Sequence, residues 1–116
     1  PMVPHGVAVV VNAPAAFRFT GPACPERHLR AAEALGADIR EVDPKDAGFV
    51  LANRFIEMMK KTGIPNGLSG VGFGFGDIPA LVSKTMPQKR LLDNSPRPVS
   101  QEDLEKMFRE AISYWP

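Results

Sequence analysis

Apolar residues recur at intervals of three and four near the C-terminus, and this spacing constrains the fold more than any other feature of the chain. They are Leu104, Met107, Phe108, Ala111, Ile112 and Trp115. At 3.6 residues per turn, all six lie on one face of a helix. Ser100, followed three residues later by Asp103, predicts the N-terminal cap of this helix. Such a face is typical of core packing, so the helix is expected to bury it.

Three further helices are predicted from the residues that begin and end them. One starts with Asp43 as a cap before a proline and ends at Gly63, whose lack of a side chain suits a left-handed turn. Another covers residues 25–35, and a third has Asp77 as its cap and covers residues 78–85. No segment alternates between apolar and polar residues over a sustained length. The chain is therefore predicted to be an all-α helical bundle of four or five helices.

The segment of residues 7–17 favours two different structures. Val7, Val9, Val10 and Val11 are β-branched, and Pro14 would normally break a helix. Propensity alone therefore favours a short strand here. The segment is too short and too interrupted to span a bilayer.

Charge and cysteine content exclude several classes of function. Fourteen basic and thirteen acidic side chains leave a net charge of +1. This balance lacks the basic surface that nucleic acids or anionic membranes require, so neither is expected as a partner. One cysteine, Cys24, rules out an internal disulfide and fits a reducing compartment. We expect a cytoplasmic protein, with the mitochondrion as the alternative.

Two features that could indicate a binding or catalytic site are better explained by structural roles. The glycines at 70, 72, 74 and 76 match neither the dinucleotide-binding pattern nor the phosphate-binding loop, so this run is expected to be an irregular connection between helices. The carboxylate pairs Glu41/Asp43 and Glu102/Asp103 lie at predicted helix starts, where negative charge is stabilising. Neither feature predicts a catalytic site.

The remaining candidates are one thiol and two imidazoles. No histidine is a plausible activating partner for Cys24 by spacing, so its thiol is expected to be a bystander. His28 stands among charged residues, and a solvated surface position is expected for it. His5 precedes Gly6 at the start of an apolar segment, and a histidine in isolation does not define a metal site.

Two strings resemble signatures of the iron-containing alcohol dehydrogenase family. His5-Gly6-Val7-Ala8 resembles the His-Gly-Val segment after the long histidine-rich motif of the family. Ser95-Pro96-Arg97-Pro98-Val99-Ser100 is similar to the Asn-Pro-Arg-Pro-Val-Thr stretch before its last helix. Residues 25–29 with 35–38, and residues 77–82 with 86–88, resemble the hydroxyacid-oxoacid transhydrogenase branch.

The resemblance implies a two-domain enzyme with an α/β dinucleotide-binding domain followed by an all-helical metal-binding domain of the dehydroquinate synthase-like fold. Residues 1–116 are then expected to be a fragment of the helical domain, inactive without the N-terminal domain as its partner. The family binds a divalent metal, Fe(II) or alternatively zinc, through one aspartate and three histidines. The last of these histidines corresponds to His5. The resemblance also implies that residues 7–17 form a helix.

The implied activity is oxidation of an alcohol or hydroxy acid by hydride transfer to NAD(P), in a protein that forms homo-oligomers. Within the branch, the reaction links 4-hydroxybutyrate to 2-oxoglutarate. The alternative is a non-catalytic helical scaffold or interaction module without metal.

Overall fold

The computed structural model describes residues 2–116, which form helices and turns and include no strand. The α-helices are α1 (His5–Thr20), α2 (Pro25–Ala34), α3 (Ala47–Thr62), α4 (Ile78–Thr85), α5 (Lys89–Leu92) and α6 (Gln101–Ala111). The prediction of an all-α fold is confirmed. The single turn of α5 has no counterpart among the predicted helices.

The helices pack in two layers around one apolar core. α1 lies against α3 and α6, α2 packs on α3, and α4 packs on α6. The domain measures 40 × 32 × 21 Å, and its thinnest dimension is that of two helices, each about 10 Å across. The buried residues of the core come from α1, α3, α4, α6 and the segments beside them: Val11, Ala15, Met59, Leu68, Ile78, Val82, Leu104, Ala111 and Ile112.

Helix α1 continues through Pro14, so the strand favoured by propensity is wrong and the helix implied by the resemblance is confirmed. Val11, Pro14 and Ala15 are all buried in this helix. Burial of these residues against α3 and α6 outweighs the weak helical preference of the valines, because tertiary packing supplies most helix stability in proteins.

Helix α3 begins later than its capping residues suggest. Asp43 accepts a 3.0 Å hydrogen bond from the backbone nitrogen of Lys45 and caps a short 3₁₀ turn, Pro44–Asp46, instead of the α-helix. The α-helix begins at Ala47, which is buried together with Gly48. The start of α3 lies against the end of α1, because a Cβ on Gly48 would meet the backbone of Phe17 and Arg18. Its predicted end is confirmed, since Gly63 has φ of 74°.

The cap predicted for α4 is not formed, whereas the cap predicted for α6 is formed. Asp77 precedes α4 but makes no capping hydrogen bond to it, because its carboxylate accepts a 2.8 Å bond from the nitrogen of Gly74. The predicted cap of α6 is confirmed by reciprocal bonds between Ser100 and Asp103, of 3.0 and 3.1 Å. The backbone hydrogen bond from Ser100 is the largest cause that lowers the pKa of the Asp103 carboxyl.

The glycine-rich segment connects α3 to α4 without a strand, as predicted. It consists of two short 3₁₀ turns, Ser69–Val71 and Phe75–Asp77. Within residues 2–116, no helix has the combination of length and hydropathy needed to cross a bilayer.

Candidate metal-binding site

His5 is the first residue of α1, and its side chain is exposed. Pro4 precedes it in an extended conformation, with φ of −55° and ψ of 141°, and its carbonyl accepts a 3.0 Å bond from the nitrogen of Ala8. A Cβ at Gly6 would have no heavy atom within 4 Å, so the backbone beside His5 is open. The imidazole is therefore free to meet a ligand that approaches the start of α1.

The start of α1 is held by its own apolar side chains. Val7 and Val10 pack against the core, and Val11 is completely buried, with 0% of its surface exposed. Because the helix backbone is rigid, these contacts fix the position of the His5 Cα. A metal ligand on this residue would be presented from an anchored scaffold rather than from a loop.

The part of the chain that the structure describes does not give His5 enough further ligands for a metal ion. No group of three or more His, Cys, Asp or Glu side chains there could hold a metal ion. A structural or catalytic zinc ion takes three or four protein ligands. His5 also lies at the N-terminal end of a helix, where the dipole is positive and disfavours a cation. A metal at His5 would need further ligands from outside residues 2–116.

The surface around His5 is unusually apolar for a solvent-exposed helix start. Val9 lies one turn along α1 from His5 and is 54% exposed, and Met2 is fully exposed. No acidic residue occupies the first turn of α1. Contact with another part of a protein would cover these exposed apolar side chains.

The prediction that His28 is a solvated surface residue is wrong. Its side chain is buried, and its Nε2 lies 2.7 Å from the hydroxyl of Thr20. Its ring also packs edge-on against Phe17, with ring centroids 6.0 Å apart. His28 therefore joins the start of α2 to the end of α1. Its charged sequence neighbours, Arg27 and Glu26, face solvent on the other side of α2.

Cys24 does have a histidine beside it, which corrects the prediction made from spacing. Its sulfur lies 3.5 Å from Nδ1 of His28. Thr20, Cys24 and His28 are spaced by four residues, and that interval was the available signal. Nδ1 also lies 2.9 Å from the carbonyl oxygen of Cys24, and a carbonyl only accepts. Nδ1 therefore carries the hydrogen and has no lone pair to take the thiol proton.

The fold has a counterpart among solved structures. The crystal structure of a 1,3-propanediol oxidoreductase overlays on 94% of this chain with a TM-score of 0.75 and 26% sequence identity. Only 28% of that chain takes part in the overlay. The fold is thus that of a helical portion of a larger oxidoreductase.

The family model described as "Fe-containing alcohol dehydrogenase family, C-terminal" matches residues 2–112. The chain belongs to this family, and the resemblance seen in the sequence is confirmed.

Curated relatives from two vertebrates match almost the whole chain. Mitochondrial hydroxyacid-oxoacid transhydrogenase of Xenopus laevis is 47% identical over 115 residues, and that of Homo sapiens is 44% identical over the same length. Both alignments cover 99% of this chain and 25% of the relative. The predicted similarity to the transhydrogenase branch is confirmed. The chain spans about a quarter of the length of these relatives.

Proposed function

We propose that this chain is the C-terminal helical domain of a metal-dependent oxidoreductase that oxidises an alcohol or hydroxy acid. The observation that carries the proposal is the similarity to hydroxyacid-oxoacid transhydrogenases over 99% of the chain. The aligned region includes His5 and the start of α1, where its side chain is exposed. The specific reaction we propose is hydride exchange between 4-hydroxybutyrate and 2-oxoglutarate.

In this proposal His5 donates one nitrogen ligand to Fe(II), with zinc as the alternative. An exposed imidazole nitrogen on an anchored helix suits either ion. The other ligands, one aspartate and two histidines, would come from the N-terminal side of the protein. The aspartate among them would also offset the positive end of α1. A bound divalent ion would polarise the substrate oxygen, and NAD(P) would take up the hydride.

The remaining part of the protein would supply the nucleotide site and complete the surface around His5. Exposed Val9 and Met2 form the part of this chain best suited to such a contact. Phe49, Phe75 and Leu91 are also exposed, which favours contact with that domain or with a second copy in a homo-oligomer. The names of the relatives support the mitochondrial alternative for localisation.

The test is metal analysis of the protein that carries this chain together with its N-terminal domain. We expect His5→Ala to lower the bound iron or zinc per protein by at least about tenfold, since loss of one of four ligands weakens a site strongly. Arg30→Ala on the exposed face of α2 is the matched control and is expected to keep full metal content. The circular dichroism spectrum of both variants should remain that of the parent protein.

A second measurement uses the 116-residue chain alone. With one ligand present, we expect weak binding of Zn²⁺ in a calorimetric titration and no reduction of NAD(P) by 4-hydroxybutyrate. Tight binding to the chain alone would contradict the shared site.

The alternative is a helical scaffold or interaction module without metal. It is favoured by the lack of any three-residue ligand group within residues 2–116. Unchanged metal content in His5→Ala, in a protein with the remaining sequence present, would reject the role of His5. Absence of metal from the parent protein as well would support the scaffold.

A further inference from the structure

Arg18, in the last turn of α1, is flanked by two aromatic rings from other parts of the fold. Its guanidinium carbon lies 5.7 Å from the ring centroid of Phe49 in α3 and 5.8 Å from that of Tyr114 after α6. Both distances are within the range of cation–π attraction. The rings limit how the guanidinium can move, so its orientation is set by three segments of the fold.

This guanidinium has no anionic partner within residues 2–116. None of the ion pairs there includes Arg18, and its Nε is shielded from solvent without any hydrogen-bond acceptor. A shielded charged donor that lacks an acceptor is costly to the fold. Arginine also binds carboxylates through a planar fork of N–H groups, and the terminal nitrogens are the part of this fork that remains for a ligand.

A cavity of about 200 Å³ adjoins Arg18, and we call it the Arg18 pocket. Its charged lining consists of Arg18, Arg97, Lys106, Asp103 and Glu110, three cations and two carboxylates. Asp103 is already engaged as the cap of α6. The other carboxylate of the lining, Glu110, forms no ion pair with Arg18. The pocket therefore carries one more cation than carboxylates.

Arg97 lines the pocket, but its guanidinium is already in contact with Phe19. Its guanidinium stacks on Phe19 at 4.1 Å from the ring centroid and donates a 3.0 Å bond to the carbonyl of the same residue. The cations left for a ligand are Arg18, half-buried, and Lys106, exposed. The planar guanidinium of Arg18 and the flexible ammonium of Lys106 can bind a single carboxylate together.

We propose that the Arg18 pocket binds a carboxylate group, with the terminal nitrogens of Arg18 donating to its two oxygens and Lys106 adding charge. The volume is below the range of about 300–1,000 Å³ that is usual for cofactor-sized ligands, which favours a short carboxylate. Arg18 is also about 20 Å along α1 from His5, at 1.5 Å per residue. A small hydroxy acid bound at His5 cannot reach it, so the carboxylate site does not depend on the role of His5, and only the second source considered below rests on the proposed function.

Two sources share this chemistry: a free small carboxylate, and an Asp or Glu side chain from the part of the protein outside this chain. The first arm of the test titrates the 116-residue chain with sodium acetate, using sodium chloride at equal ionic strength as the reference. The readout is the ¹⁵N–¹H resonance of Arg18 Nε, whose shielding slows exchange with water. We expect a saturable shift with acetate and none with chloride.

Variants of Arg18 and Lys106 test whether Arg18 binds the acetate. Arg18→Lys keeps the charge and removes the fork, and we expect acetate affinity, followed on backbone amides near the pocket, to fall at least about fivefold. Lys106→Gln, at an exposed position, should weaken it by about threefold. Arg30→Lys on α2 is the matched control and should bind like the parent chain. If Arg18→Lys does not fold, Lys106→Gln carries the test, because its side chain lies outside the core.

The second arm repeats the titration on the protein with its N-terminal domain. An acetate response that persists there assigns the pocket to a free carboxylate. A response that disappears, with the Arg18 resonance already at its acetate-bound position, assigns the pocket to a side chain of the same protein. Acetate and chloride acting alike on the 116-residue chain, or unchanged acetate affinity in Arg18→Lys, would overturn the proposal.

Discussion

The phenolic hydroxyl of Tyr114 lies 2.7 Å from the carbonyl oxygen of Val11 and donates a hydrogen bond to it. The backbone nitrogen of Ala15 donates to the same hydroxyl over 3.4 Å. Val11 and Ala15 are four residues apart in α1, the spacing of a regular helical hydrogen bond. Pro14 has no N–H and disturbs this turn. The hydroxyl of Tyr114 therefore joins a helical donor and acceptor at the point where proline weakens α1.

Removal of this hydroxyl is expected to destabilise the domain. Tyr114→Phe keeps the ring but deprives Val11 of a donor, so the free energy of unfolding should fall by about 1–2 kcal/mol. Urea unfolding followed by circular dichroism measures the change. Thr62→Val is the control, because it removes an exposed hydroxyl that bonds only to its own helix, at the carbonyl of Met58. Equal losses in the two variants would contradict a special role for Tyr114.

Stability should also depend on pH through the same residue. Burial raises the pKa of Tyr114 from 10.0 to about 12. The folded state thus holds this proton more tightly than the unfolded state, and the resulting stability is fully present below pH 10. It is lost as pH rises from 10 to about 12. Urea midpoints across that range should fall more steeply in the parent chain than in Tyr114→Phe, and parallel slopes would refute the assignment.

The contact between α1 and α3 depends on a glycine at the second position of α3. A Cβ on Gly48 would clash with the carbonyl oxygen of Phe17 and lie 3.1 Å from the Cα of Gly21. We expect Gly48→Ala to lower stability by about 1–3 kcal/mol, although alanine is the better helix former. Gly6→Ala is the matched control, since its Cβ would meet nothing within 4 Å. Thermal unfolding should show a lower midpoint for Gly48→Ala and an equal or higher one for Gly6→Ala.

Glu41 stores strain in the loop between α2 and α3. Its φ is 62°, in the left-handed region that residues other than Gly, Asn and Asp mostly avoid. Its side chain is exposed, so replacement removes no packing. Glu41→Asn should stabilise the domain by about 0.5–1 kcal/mol, because asparagine tolerates this conformation. Glu41→Ala removes the same carboxylate without relief of strain, and a similar gain in that variant would argue for charge instead.

Local patterns were sufficient to predict most helices. The Ser100/Asp103 cap and the apolar spacing from Leu104 to Ala111 predicted α6 because both signals act within a few residues along the chain. The predicted helical face was too long, since α6 ends at Ala111, and Ile112 and Trp115 lie beyond it. Gly63 likewise predicted the end of α3 through its own backbone freedom. Propensity failed in α1, where it favoured a strand for residues that the core buries as a helix.

Side-chain environments were less predictable than helices. The charged neighbours of His28 suggested exposure, yet Thr20 and Phe17 from α1 enclose its ring. Capping by Asp43 and Asp77 was predicted for α-helices, and both carboxylates instead serve short turns before them. Arg18 had no sequence signal at all, since its surroundings come from three separate segments.

What the sequence determined by itself was the helical class, the family resemblance and the choice of His5 as a candidate ligand. Each rests on residues that are neighbours along the chain. The burial of His28, the start of α3 at Ala47 and the support of α1 by Tyr114 became apparent from the folded structure. The physical reason is distance along the chain: Tyr114 and Val11 are separated by 103 positions, and such contacts follow from the packing of whole helices.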